Sequence, residues 1–226
     1  MAIAFVQSNT SSDLDTVALT GVGAGNLIVL YAKWEDVVGS CTVTDGTTSL
    51  TMGTSNSAAI GPCSHFGWLL SANSGNKTYT VTFPASAAFK RILIAEFSYS
   101  GTAAFDAETS TRSNATSITS GNITTTGTDE VVFGSYAEYS SLTRSAHQIN
   151  GVAADAVITA ATNTDMWYRI VSATFTGQAT ATLADAGDWT CHIIGFKATA
   201  AAGAVGVLRH RGVGRGMGRG MFRGVG

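Results

Sequence analysis

Short apolar blocks recur in the same order about one hundred residues apart, so any fold this chain adopts must fit twice into its 226 residues. Asn26-Leu-Ile-Val-Leu-Tyr opens one apolar run, and Asp129-Glu-Val-Val-Phe-Gly-Ser-Tyr opens another. Phe66, Trp68 and Leu70 alternate with other residues, as Met166, Tyr168 and Ile170 do. Ser74-Gly75 followed by Tyr79 and Val81 matches Thr176-Gly177 followed by Ala181 and Leu183. The last block is Ile92-Leu-Ile-Ala-Glu-Phe97, matched by Cys191-His-Ile-Ile-Gly-Phe196.

Alternation with a period of two places every other side chain on one face of an extended strand, which is the mark of a sheet with one covered face. Asn26 to Trp34 is nearly all apolar and reads as a strand covered on both faces. Asp45-Gly46, Ser74-Gly75-Asn76, Ser100-Gly101 and Gly121-Asn122 supply turns. Only 12% of the residues are charged, 45% are hydrophobic and Pro occurs twice, a composition that suits strands rather than helices or disorder. The expected fold is all-β, with two tandem jelly-roll or immunoglobulin-like sandwiches at 1–101 and 102–200. One large sandwich with interleaved halves is the alternative. The Ser/Thr-rich stretch from Gly101 to Gly127 is expected to join the halves.

Residues 201–226 depart from this pattern and are expected to form an extended Gly/Arg/Met-rich arm. From Gly212 to Gly220 glycine fills every second position, so an extended arm has one bare face and another carrying Val213, Arg215, Met217 and Arg219. Arg209, Arg211, Arg215, Arg219 and Arg223 give the last eighteen residues a charge of +5. Residues 1–208 hold the other eight Lys/Arg against all fifteen Asp/Glu, a net of −7. An acidic body with a basic arm suits an acidic partner, including the body of another copy. Met221 and Phe222 complete the partner-binding set by offering apolar anchors. The arm could add as a strand to a neighbour's sheet edge, or pair its arginines with carboxylates. Nucleic acid is the weaker partner, because Phe222 is the lone aromatic in the arm and the body lacks a basic surface to continue the contact.

Catalytic and metal chemistry find little support. His65, His147, His192 and His210 stand in separate segments without metal-ligand spacing, and no GxSxG elbow is present. Cys41, Cys63 and Cys191 read as buried free thiols, with a Cys41–Cys63 bridge as the alternative. Glu96 lies in a buried run, where pairing with Lys90 or Arg91 would explain it. Asp13 with Asp15, and Asp185 with Asp188, read as solvated turns. Trp68 and Trp167 read as core. Trp34 and Trp189, beside acidic residues at strand ends, are the candidates for stacking on a glycan. The reading is a non-enzymatic protein with no cofactor or metal. No apolar run approaches the ~20 residues that cross a membrane. The start lacks the basic and long apolar regions of a secretory signal, so synthesis in a cytosol is expected.

Four segments carry a resemblance: Gly25-Asn26-Leu-Ile-Val, Thr42-Val-Thr-Asp-Gly46, Ala95-Glu-Phe-Ser-Tyr-Ser-Gly101 followed by Phe105-Asp106, and Thr125-Thr-Gly-Thr-Asp-Glu-Val-Val132. Their order resembles a jelly-roll or immunoglobulin-like family common among bacteriophage virion proteins and bacterial surface proteins. The resemblance implies a structural role in a virion: capsid decoration or cement, head fibre, or tail-associated adhesion. The implied partners are other virion proteins or further copies of the chain in a homo-oligomer. Host adhesion through a glycan, and a self-assembling filament or fibre, are the other readings.

Overall fold

The computed structural model describes residues 2–200. Residues 1–100 hold eight strands: β1 (Ile3–Ser12), β2 (Thr16–Val22), β3 (Leu27–Glu35), β4 (Thr42–Thr44), β5 (Thr51–Met52), β6 (Pro62–Leu69), β7 (Gly75–Thr82) and β8 (Ala88–Tyr99). They form a five-stranded sheet ordered β1-β8-β3-β6-β5 and a three-stranded sheet ordered β2-β7-β4. The remainder holds β9 (Thr102–Thr119), β10 (Ile123–Thr124), β11 (Glu130–Glu138), β12 (Arg144–Ile149), β13 (Val152–Ala153), β14 (Ala156–Thr159), β15 (Thr164–Val171), β16 (Thr176–Gly177) and β17 (Ala179–Thr199). The chain is thus all-β, and among the described residues no helix is long and apolar enough to cross a membrane.

In the second part, β17 serves two layers. Its pairing with β9 shifts between Thr182 and Gly187. Before the shift it pairs with β12, and after it with β11 and most of β9. The order β9-β17-β11-β15-β14 then runs parallel to β1-β8-β3-β6-β5. Registers agree residue by residue. Phe97 lies between Phe5 and Leu27, as Phe196 lies between Phe105 and Val131. Val29 faces Trp68, and Phe133 faces Tyr168.

The strand positions explain the residue patterns. β3 and β11 are central and buried along their whole length, hence their largely apolar runs. β7 is covered on one face and alternates, burying Tyr79 and Val81. The Ser/Thr-rich stretch expected to be a connection is instead β9, an 18-residue strand at the sheet edge. Threonine favours the pleated backbone, and an edge position keeps the strand partly exposed, which accounts for its polar composition. The actual connection is Ser100-Gly101, with Gly101 at φ +130, a conformation that favours glycine.

Three apolar layers result. Val17, Leu19, Ile28, Leu30, Trp34, Tyr79 and Ile94 fill the space between the first two sheets. Val132, Tyr136, Trp167, Leu183, Trp189 and Ile193 fill the corresponding space in the second part. A third layer joins the two large sheets face to face through Tyr31, Phe66, Trp68, Phe97, Phe133, Tyr168 and Phe196. Phe5 stacks on Tyr168 with centroids 5.5 Å apart, and Phe105 stacks on Trp68 at 4.9 Å. These are equivalent residues exchanged between the two large sheets, so this layer has an internal approximate two-fold symmetry.

Candidate functional site

The partner-binding set Arg209, Arg211, Val213, Arg215, Met217, Arg219, Met221, Phe222 and Arg223 lies outside the described residues. The two glycan candidates do not survive. Trp34 and Trp189 are both fully buried. Trp34 Nε1 donates to Val37 O at 2.8 Å, and Trp189 Nε1 donates to Ala115 O at 3.0 Å. Trp34 shares the inward parity of Ile28, Leu30 and Ala32, while Trp189 shares that of Cys191 and Ile193. The neighbouring carboxylates mark strand ends, but strand parity turns each indole inward, so neither ring offers a stacking face. Trp68 and Trp167 are core residues, as their alternation indicated.

Other polar side chains also find internal partners. Glu96 meets neither Lys90 nor Arg91. It accepts from Gln7 Nε2 at 2.6 Å, Gly23 N at 2.7 Å and Asn26 Nδ2 at 2.6 Å. Lys90 and Arg91 instead pair with Asp15 and Asp13. The three cysteines are free and buried, so no Cys41–Cys63 bridge forms. Among the described residues no group of three His, Cys, Asp or Glu side chains could hold a metal ion.

One polar cluster sits between the two large sheets. Ser64 Oγ lies 2.6 Å from Thr190 Oγ1 and 2.8 Å from His192 Nε2. His192 packs edge-on against Tyr31 and Phe66. Burial pushes its pKa down to about 3, with the neighbouring His65 acting in the same direction, so the ring is neutral at pH 7. A Ser–His pair resembles part of a hydrolytic apparatus. Here both residues are buried, so a substrate could not reach the serine. Beside the cluster, the Lys33–Glu35 ion pair is likewise buried. Burial lowers the lysine pKa and raises the glutamate pKa. Ser64, Thr190 and His192 meet one another across the two sheets only when these stack in this register, so they act as a key for the pairing of the two halves.

A second cluster lines a cleft of about 350 Å³ bounded by Ser141, Leu142, Thr143, Arg144, His147, Thr159 and Asp165. Arg144 grips Asp165 through Nε to Oδ2 and through Nη2 to Oδ1, the latter at 2.6 Å. Its Nη2 also donates to Ala161 O at 3.1 Å. His147 Nε2 lies 2.9 Å from Asp165 Oδ2, and its ring packs against Trp167. Burial alone would raise the Asp165 pKa, but Arg144 and His147 outweigh it and hold the carboxyl below its usual range. The carboxylate is saturated by these donors, so the cluster ties β12 to β15 across the two layers of the second part. Sequence reasoning missed this trio because Asp165 lies 18 and 21 residues from His147 and Arg144 and meets them only through sheet packing.

The ends of the strands give the body two poles. Ile3–Tyr99, Leu27–Phe97, Glu130–Lys197 and Thr102–Thr199 pairs lie at one pole, where β17 ends. Ser12–Arg91, Glu35–Ala88 and Glu138–Trp189 pairs lie at the other. Contacts between the halves fix the second pole as common to both. Tyr139 Oη donates to Asp36 Oδ2 at 3.4 Å, and Arg112 Nη1 donates to Ile60 O at 3.3 Å. No family model matches the chain, and no characterised protein or solved structure is significantly similar to it.

Proposed function

We propose that the protein is a structural building block of a virion, a capsid decoration or cement protein, assembled or anchored through its basic arm. The supporting observation is the duplicated strand order. In the first half the first strand pairs the last, the third lies between the last and the sixth, and the second and seventh pair in the opposing layer. In the second half β9 pairs β17, β11 lies between β17 and β15, and β10 pairs β16. This order supports a jelly-roll reading, a double-layered β fold used in capsid and lectin domains. Two such units joined by an aromatic layer make a stiff body whose polar clusters are spent on internal ties. Such a body suits load-bearing and spacing. The arm, with +5 of charge and three large apolar side chains, is the part suited to attachment.

The glycan-binding alternative has lost Trp34 and Trp189, the two residues on which it rested. The test of the building-block reading is light scattering on the full chain and on a chain ending at Ala200, at low and high salt. All three apolar layers lie within residues 2–200, so the shorter chain retains the whole core. Defined oligomers formed by the full chain alone support the reading. Equal assembly of both chains removes the arm from it.

A further inference from the structure

Residues 201–226 continue from β17 at the pole where that strand ends. The opposite pole carries five of the exposed large apolar side chains: Leu14, Val38, Ile60, Phe89 and Tyr139. They come from separate segments but gather around the end of β3. Asp36 N donates to Gly61 O at 3.1 Å, and Gly61 N donates back to Asp36 Oδ1 at 2.8 Å. This brackets Val38 and Ile60 together, and Tyr139 is held there by its own bond to Asp36. On the other side of Asp36, Ala88 pairs with Glu35 and so brings in Phe89. Asp13 N donates to Lys90 O at 2.8 Å, which sets Leu14 beside it. Ile60 is 79% exposed and Phe89 is 57% exposed. Scattered exposed apolar residues need no explanation, but a group collected at one pole marks an interaction surface. Exposed Asp13 and Asp36 stand among these residues, Asp13 paired with Arg91, and Asp185 and Asp188, expected in turns, instead lie exposed within β17 at the same pole.

We propose that this pole receives the C-terminal arm of a second copy, so that copies join head to tail. The inference rests on the arm-mediated assembly proposed above and adds the site at which the arm docks. The arm complements the pole: Val213, Met217, Met221 and Phe222 suit the apolar residues, and Arg215, Arg219 and Arg223 suit Asp36, Asp185 and Asp188. The described residues end at Ala200, at the pole opposite this surface, which favours the pole of a neighbouring copy as the acceptor. Its twenty-six residues span up to ~85 Å at ~3.3 Å each, against ~30 Å for the nine residues of β3. Because the two surfaces differ, the contact is heterologous. Repetition closes a ring or extends a filament.

Two variants test this. One carries Ile60→Glu and Phe89→Glu, with the arm intact; both positions are exposed, and an unchanged melting temperature checks that the body is intact. The other ends at Ala200 and keeps the pole. Light scattering is expected to show the full chain growing with concentration and each variant alone as a monomer. An equimolar mixture should give a species of twice the monomer mass, since one partner supplies the arm and the other the pole. If the double substitution assembles like the full chain while the shortened chain does not, docking at this pole is wrong and arm-mediated assembly stands. If the shortened chain also assembles, the arm reading itself falls. A full chain that stays monomeric at every concentration overturns head-to-tail docking.

Discussion

Among single residues, Gly134 has little room to change, because the neighbour it would meet is an aromatic ring. A Cβ placed there would stand 2.4 Å from Cε2 of Trp167. That ring is fixed by a bond from Nε1 to Gln148 O at 3.1 Å and by His147 against it, so it cannot withdraw. Gly134→Ala is expected to cost about 1–3 kcal/mol, the range for overpacking a core, as measured by urea denaturation. His192 sets a pH dependence. Its native pKa of about 3 lies below the ~6.5 of an unfolded histidine, so the unfolded chain binds the extra proton. Stability from this group is complete above pH ~6.5 and declines as the pH falls toward 3. Glu130 acts in the opposite sense, because burial raises its pKa to about 7. Its contribution is present below ~4.5 and is lost as the pH rises through 7. His192→Gln should therefore flatten the acid side of a plot of melting temperature against pH, and Glu130→Gln should raise stability at pH 8. Parity was the readable signal at this scale. The phase of Ile28, Leu30 and Ala32 turned Trp34 inward, whereas its acidic neighbours suggested exposure. The contact of Arg144 and His147 with Asp165 left no sequence trace, since it depends on how two layers stack.

Among the elements, the matched blocks in the sequence identified equivalent strands and even equivalent faces. Ile92 and Ile94 point into the first sandwich core, and Cys191 and Ile193 point into the second. The residues between them, Leu93, Ala95 and Phe97 against Ile194 and Phe196, meet in the central layer. What alternation could not distinguish was a polar edge strand from a linker, and β9 was misread for that reason. Phe5 and Phe105 show the duplication energetically. They are 40% and 37% exposed and each stacks on an aromatic ring of the opposite sheet. Truncating either to alanine should cost about 1–2 kcal/mol, less than the ~3–5 for a fully buried phenylalanine, with similar values for both. Denaturant midpoints of the two variants check the equivalence. A large loss at one site and none at the other would break it.

At the scale of the whole molecule, the two parts share one central apolar layer. Each large sheet buries one face in its own sandwich and the other against its counterpart. A half on its own would therefore expose Tyr31, Phe66, Trp68 and Phe97, or Phe133, Tyr168 and Phe196. Chains 1–100 and 101–226 made separately should aggregate or remain poorly folded, and should form a 1:1 complex on co-expression, as size-exclusion chromatography would show. Two independently soluble halves would mean that the central layer contributes little. Composition and alternation disclosed the all-β character, but the stacking partner of the second face of β3 had no signature beyond its largely apolar run. The 21-residue β17 also has a mechanical meaning. It is flanked by β9 on one side and β11 on the other over its final stretch. A pull applied to the chain beyond Thr199 runs along the strand axis and loads both ladders of hydrogen bonds in shear. The bonds must yield together rather than peel apart one at a time, so tension applied there is shared between the ladders to β9 and β11.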